Sequence, residues 1–199
     1  ELILAMGHAL SRAERPAKLH LIERDKVLTA LPARSAARLR EALERAGVTL
    51  HEGVEVRAIT SEGVTLEGYE ISADFVCGAA GARPHAWLAE TGLAQQDGYL
   101  NIDPQLRTSD PRIFAAGDCA HMPFAPRPKA GVYAVRQAPV LAQNLRVALR
   151  ETGRMHRYSP QKDYLKLVSM GGKTALGDRF GLSFAGPLIW RWKDRIDRK

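Results

Sequence analysis

The sequence predicts an α/β protein, a parallel sheet carrying helices and interrupted by short antiparallel excursions. Three observations lead there. Residues 1–51 alternate helix, strand, helix, strand with connections of a few residues, a pattern that places helices on the faces of a parallel sheet. Residues 54–72 hold three short strand-like runs punctuated by Gly53, Gly63 and Gly68. The turn Thr108-Ser109-Asp110-Pro111 leads into Arg112-Ile113-Phe114, which reads as a buried parallel strand, and then into Ala115-Ala116-Gly117-Asp118.

In chain order, Glu1 to Arg12 is a helix pattern, with Leu2, Ala5, Met6 and Ala9 at three- and four-residue steps. Lys18 to Glu23 reads as a strand ending on an acid. Ala33 to Ala46 is a second helix stopped by Gly47. Val48 to His51 is a short strand, and Val54 to Thr60, Gly63 to Leu66 and Tyr69 to Ser72 are successive antiparallel strands. Asp74 to Cys77 reads as another buried strand, running into Gly78-Ala79-Ala80-Gly81. Trp87, Leu88 and Leu93 are expected to pack the following segment. After a proline-rich turn from Pro123 to Pro128, a helix runs from about Lys129 to Leu149, with Pro139 expected to kink or break it. Val132, Val135, Leu141, Leu145 and Leu149 are its expected core positions. Leu165 to Met170, Lys173 to Gly177 and Gly181 to Phe184 are short strands. A last helix, from about Pro187 to Arg198, sets Leu188, Ile189, Trp192 and Ile196 on one face.

Composition narrows the function. The 199 residues carry a net charge of +7, and all of it lies in residues 154–199, where 11 basic side chains face 4 acidic ones. Such a tail suits a membrane face or an acidic protein. Nucleic acid is not expected, because no recognised module and no aromatic platform accompanies the charge. Cys77 and Cys119 form no Cys-x-x-Cys pair, which fits a reducing, cytoplasmic setting. No Cys and His cluster has metal spacing, so no metal is expected.

Two strand ends carry chemistry. Ala115-Ala116-Gly117 leaves no side-chain bulk, so a ligand can lie close to the backbone. Asp118 follows at the position where open α/β sheets hold ligands, and a carboxylate only accepts hydrogen bonds, which suits a ligand presenting hydroxyls. Glu23 ends the strand after the first helix, where a dinucleotide fold places the acid that bonds the adenosine ribose. Its charge opposes a 2′-phosphate and favours NADH, although Arg24 and Lys26 stand beside it.

The run from Gly98-Tyr99-Leu100-Asn101-Ile102-Asp103 through Gly117-Asp118-Cys119-Ala120 resembles the second flavin-binding motif of the FAD-dependent pyridine nucleotide-disulfide oxidoreductase superfamily. The resemblance implies a Rossmann-like flavoprotein of two dinucleotide-binding domains, with FAD and NADH as cofactors and Asp118 on the ribityl chain. Glu1 matches the glutamate that closes the family's Gly-x-Gly-x-x-Gly-x-Glu stretch near the nicotinamide. The chain therefore reads as the C-terminal part of a longer, here incomplete, flavoprotein. Residues 1–80 would be an NAD(H)-binding domain without its first strand and glycine loop, 81–153 the second half of the FAD domain, and 154–199 a small C-terminal layer. Gly78 to Pro84 resembles the family's Ala-Thr-Gly-x-x-Pro crossing, with Ala80 for threonine and Gly81 retained. The helix beginning near Lys129, Ala130 and Gly131 is implied to meet the pyrimidine edge of the flavin, where a helix N-terminus and the Lys129 ammonium stabilise negative charge. Type II NADH dehydrogenases carry Ala-Gln-x-x-x-Gln-Gln on this helix; here Arg136-Gln137 stands instead. With Pro128-Lys129-Ala130-Gly131 and the basic, Trp-containing end, that looks closer to the dehydrogenase-like flavoproteins fused to selenide, water dikinase.

The function implied is an NADH dehydrogenase-like oxidoreductase, passing hydride from NADH to FAD and electrons to an acceptor, which is left open among quinone, disulfide, selenium or sulfur species and protein. No side chain is an obvious general acid or base. The alternative is a non-catalytic truncated domain that binds a partner or a membrane surface, the latter through residues 187–199 with Trp and Arg at the interface. Exposed sheet edges make a homodimer a further expectation.

Overall fold

The computed structural model describes residues 1–150 and 152–198, so Glu151 and Lys199, which close or punctuate two of the expected segments, lie outside the described residues. The chain divides into two compact units, residues 1–77 with 163–199, and residues 78–162. The expected C-terminal layer thus splits, its first residues staying with the second unit.

The first unit contains α1 (Leu2–Arg12), β1 (Leu19–Glu23), α2 (Ala33–Arg45) and β2 (Val48–Glu52). The strands β1 and β2 pair in parallel with Leu19 opposite Val48 and Glu23 opposite Glu52. Because strand side chains alternate, Leu19, Leu21, Val48 and Leu50 share one face. That face packs Leu4 of α1 with Ala42 and Leu43 of α2, joined by Met170. His20, Thr49 and His51 fall on the opposite face. A meander of β3 (Val56–Ile59), β4 (Gly63–Leu66) and β5 (Glu70–Ser72) follows, antiparallel throughout.

The same unit ends in the antiparallel sheet β9 (Lys166–Ser169), β10 (Ala175–Arg179) and β11 (Leu182–Gly186), with α4 (Pro187–Asp197) against it. The central strand β10 is covered on both faces. A Cβ on Gly177 would stand 3.3 Å from Ile189 of α4, while Asp178 on the other face accepts a 2.6 Å hydrogen bond from Ser35 of α2. Ile189 docks α4, and Leu188, Trp192 and Ile196 stay exposed. Among the described residues no helix is long and apolar enough to cross a membrane.

The second unit is built on a core of Leu88, Leu100, Ile102, Leu106, Ala115, Ala120, Met122 and Tyr158. Short strands β6 (Gln95–Gln96), β7 (Tyr99–Asn101) and β8 (Ala120–His121) form its sheet, with β7 and β8 parallel. Its long helix is α3 (Gly131–Arg150), which continues through Pro139 rather than breaking there.

Four expectations are corrected. Asp74–Cys77 forms no strand, and Phe75 is 70% exposed. No described strand pairs with the run, and an apolar run without a ladder partner cannot bury its backbone groups. Arg112–Phe114 is likewise not a buried parallel strand. The Asp110-Pro111 turn folds it back on Leu106–Thr108, so that Thr108 N–H donates to the Ile113 carbonyl at 2.9 Å and Ala115 N–H to Leu106 at 3.0 Å. Ile113 is left outside. On α3 the inward residues are Tyr133, Gln137 and Asn144, whereas Val135 is 72% and Leu149 85% exposed and Leu145 faces out as well. The loops beneath α3 present free backbone groups, and amides satisfy those where leucines cannot. Trp87 is also exposed, while Leu88 beside it is buried.

Candidate functional site

Asp110 shapes the approach to the site. Its carboxylate accepts from Arg112 N–H at 2.9 Å and is held by the Arg112 guanidinium at 3.0 Å, which keeps its acidity stronger than that of a free aspartate. The hairpin so closed delivers Ala115 into the core and runs on to a 3₁₀ turn at Gly117–Cys119.

Gly117 has φ +73°, a left-handed conformation that L side chains rarely adopt, and a Cβ there would stand 3.3 Å from the Ala134 methyl of α3. Both facts require glycine where the turn passes against the helix. Gln137, 1% exposed, fixes that approach. Its Oε1 accepts the Gly117 N–H at 2.7 Å, and its Nε2 lies 3.5 Å from the Met122 sulfur. Gln137 therefore acts from inside on the turn. Its amide does not point outward to a ligand.

Asp118, next in the turn, is exposed. Gly117, Asp118, Lys129, Ala130, Tyr133 and Gln137 line one small cavity, of about 10 Å³, and Gly131 begins α3 directly beside them. Lys129 reaches across: its ammonium donates to the Ala120 carbonyl and sits 3.9 Å above the Tyr99 ring centre. Burial lowers its pKa from the usual lysine value, and the negative charge of Asp118 works against that shift. A second, apolar cavity of about 370 Å³ is lined by Trp87, Leu88, Leu100, Ile113, Ala115 and Cys119 among others. It lies within the range of small-molecule sites, roughly 300–1,000 Å³. Seven of the expected residues belong to this unit: Gly117, Asp118, Lys129, Ala130, Gly131 and Gln137 come together, and Gly81 is set apart. Gly81, exposed and with φ +87°, has no atom within 4 Å of an added Cβ, so only its backbone angle calls for glycine.

Glu23 and Glu1 belong to the other unit. Glu23 ends β1, exposed, and accepts the Asp25 N–H at 3.2 Å, a local turn that leaves one oxygen to solvent. Glu1 is engaged elsewhere. Its Oε1 accepts from Ser169 N–H at 3.1 Å and pairs with Lys193 at 3.3 Å. It ties the start of α1 to the last sheet and helix.

Sequence reading missed Met122 and Tyr133, which build the cavity with the expected residues, and Tyr99, whose ring lies under the Lys129 ammonium. It also missed Asn144, whose amide donates to the carbonyls of Gln105 and His156 at 2.8 and 3.0 Å and accepts from His156 N–H at 2.7 Å. A glutamine and an asparagine seven residues apart on one helix face are two turns apart, and that spacing is the signal that could have placed both inward.

Residues 4–138 match the family model described as pyridine nucleotide-disulphide oxidoreductase. Over 128 residues the chain is 35% identical to a nitric oxide reductase FlRd-NAD(+) reductase of Vibrio vulnificus (strain CMCP6), covering 60% of this chain and 33% of that protein. The chain thus spans about a third of that relative's length. The fold is similar to a FAD-dependent pyridine nucleotide-disulphide oxidoreductase from Desulfovibrio vulgaris, with TM-score 0.67 and 26% identity over 87% of this chain and 45% of that one. It is also similar to the sulfide:quinone oxidoreductase of Aquifex aeolicus, with TM-score 0.76 over 98% of this chain and 52% of the other; at 16% identity that likeness concerns the fold alone.

Proposed function

The chain belongs to the pyridine nucleotide-disulphide oxidoreductase family, and from that premise we propose that it serves a FAD-dependent NADH oxidoreductase that passes electrons to a further acceptor. The observation that carries the reading is Asp118. Its exposed carboxylate follows a side-chain-poor turn and stands at one cavity with the start of α3. This donor and acceptor set fits a polyhydroxylated chain beside an electron-rich ring. Asp118 would accept from ribityl hydroxyls, the first N–H groups of α3 would face negative charge, and Lys129 would add a cation held by Tyr99. Bound flavin supplies the hydride and electron chemistry; the protein places and tunes it. Glu23 would bond the adenosine ribose hydroxyls of the nucleotide, favouring NADH over NADPH. The relative from Vibrio vulnificus is named as a nitric oxide reductase FlRd-NAD(+) reductase, which supports a redox partner as one candidate acceptor. A peripheral membrane position through residues 187–198, a homodimer and a cytoplasmic location belong to the same proposal. The first of these draws support from the exposed Leu188 and Trp192 beside basic residues.

Flavin titration tests the reading. Asp118→Ala removes a charged acceptor and is expected to weaken FAD binding by about 1.5–3 kcal/mol. Equal flavin content in mutant and parent at limiting FAD would overturn it.

A further inference from the structure

One cluster of titratable side chains stands outside the flavin and nucleotide chemistry. His20 on β1 and His51 on β2 lie 31 residues apart, and no short motif links them. The parallel register sets His20 opposite Thr49 and Ile22 opposite His51, so the two imidazoles share the sheet face turned away from α1 and α2. Nδ1 of His20 is 3.0 Å from Nε2 of His51, and on its far side Nδ1 of His51 is 2.8 Å from the Tyr69 hydroxyl. The ring centroids of the two histidines are 5.3 Å apart with 31° between their planes.

We propose that His20 and His51 form a chelating site for a divalent transition-metal ion such as Zn²⁺ or Cu²⁺, with Tyr69 as its outer partner. Two imidazole nitrogens bound to one zinc at about 2.0–2.1 Å in tetrahedral array stand roughly 3.3 Å apart. The observed 3.0 Å separation needs to open by only a few tenths of an ångström, with small ring rotations that aim both lone pairs at one point. The tautomer required is defined. His51 carries its proton on Nδ1 and donates it to Tyr69, the arrangement in which metal-bound histidines are held by a second group. His20 carries its proton on Nε2. In the free protein the 3.0 Å contact carries a proton on one of the two facing nitrogens; the ion takes its place, and that proton moves to the outer nitrogen of the same ring, so that both neutral rings present lone pairs to the metal. Both histidines are half-buried and Tyr69 is 43% exposed, so an ion reaches the pair from solvent and water completes its coordination. No group of three or more His, Cys, Asp or Glu residues poised for a metal occurs among the described residues. The site is therefore an open, two-ligand one that binds more weakly than a closed structural zinc site.

Isothermal titration of the purified chain with ZnCl₂ in a non-chelating buffer at neutral pH tests this. One ion per chain is expected. His20→Gln and His51→Gln should each weaken binding by more than about 10-fold, and Tyr69→Phe by about 10-fold or less. Electron paramagnetic resonance of the unmutated chain with one equivalent of Cu²⁺ needs no variant to fold, and its hyperfine pattern should count two equatorial nitrogens. Binding that persists unchanged in both histidine variants, a spectrum without paired nitrogens, or no binding at millimolar zinc would each overturn the proposal.

Discussion

Helices α2 and α3 are both amphipathic, yet they bury opposite kinds of side chain. α2 turns Leu39, Ala42 and Leu43 inward, with Ser35 alongside. α3 turns Tyr133, Gln137 and Asn144 inward and leaves Val135, Leu145 and Leu149 exposed. What lies beneath them differs. α2 covers strands whose backbone groups are already paired in a ladder, so hydrocarbon is what fits. α3 covers loops, whose backbone N–H and carbonyl groups need partners that only polar side chains provide. The flavin-type turn at Gly117 is one of those loops. A binding site made of loops is held by amides, and its precision rests on a few hydrogen bonds rather than on area.

The comparison is open to breaking by mutation. Asn144→Ala is the largest expected effect. It removes three hydrogen bonds at a site with no exposure and strands the Gln105 carbonyl and both backbone groups of His156. Leaving buried polar groups unpaired costs about 1–3 kcal/mol each, so a loss of roughly 3–5 kcal/mol is expected in chemical denaturation. Leu43→Ala in the apolar cluster should cost less, about 2–3 kcal/mol, because half-buried Leu19, Leu21 and Leu50 around it can relax into the space. Peptide-resolved hydrogen exchange would assign each loss to its own unit. If Leu43→Ala proved the more damaging, the claim that amides hold the second unit would fail.

These two helices also show how far the sequence was legible. The span of α2 and its stop at Gly47 were legible in the sequence, and its buried Leu39, Ala42 and Leu43 lie at the three- and four-residue steps of a helix face. α3 has a leucine and valine pattern that holds at Leu141, which packs against the core, and fails at Val135, Leu145 and Leu149, because the pattern reports what a helix could bury and not what lies beneath it. The strand end at Glu23 was readable from local chemistry, and so was Asp118 as a carboxylate following small residues, although it stands in a 3₁₀ turn and not at the end of a strand. The pairing of those elements was not readable. Arg112–Phe114 folds back on Leu106–Thr108 through its own turn, and Asp74–Cys77 finds no described strand beside it. The histidine pair and the Ser35 to Asp178 bond span 31 and 143 residues, so only the register and the packing disclose them.

The smallest expected effect concerns pH and sets the first unit apart in another way. The His51 pKa is lowered from 6.5, first by burial of the ring and then by the nearby His20. The Tyr69 hydroxyl and the His20 ring are the polar groups in contact with it, and neither carries the negative charge that would favour an imidazolium. A histidine with a depressed folded pKa binds more protons unfolded than folded in the window between the two values. Stability from the neutral ring is thus present above the unfolded pKa and is lost as pH falls through the folded one. The first unit should therefore weaken as pH drops from neutrality toward 5, in the window below about 6.5. The ring is only half-buried, which keeps the slope shallow. In the second unit the shifted groups are of another kind: burial lowers the Lys129 pKa and raises that of Tyr158. Hydrogen exchange at pH 7.5 and 5.5 should show faster opening around β1 and β2 than around α3. His51→Gln should flatten the difference, and an equal pH response in the mutant would assign the effect to another group.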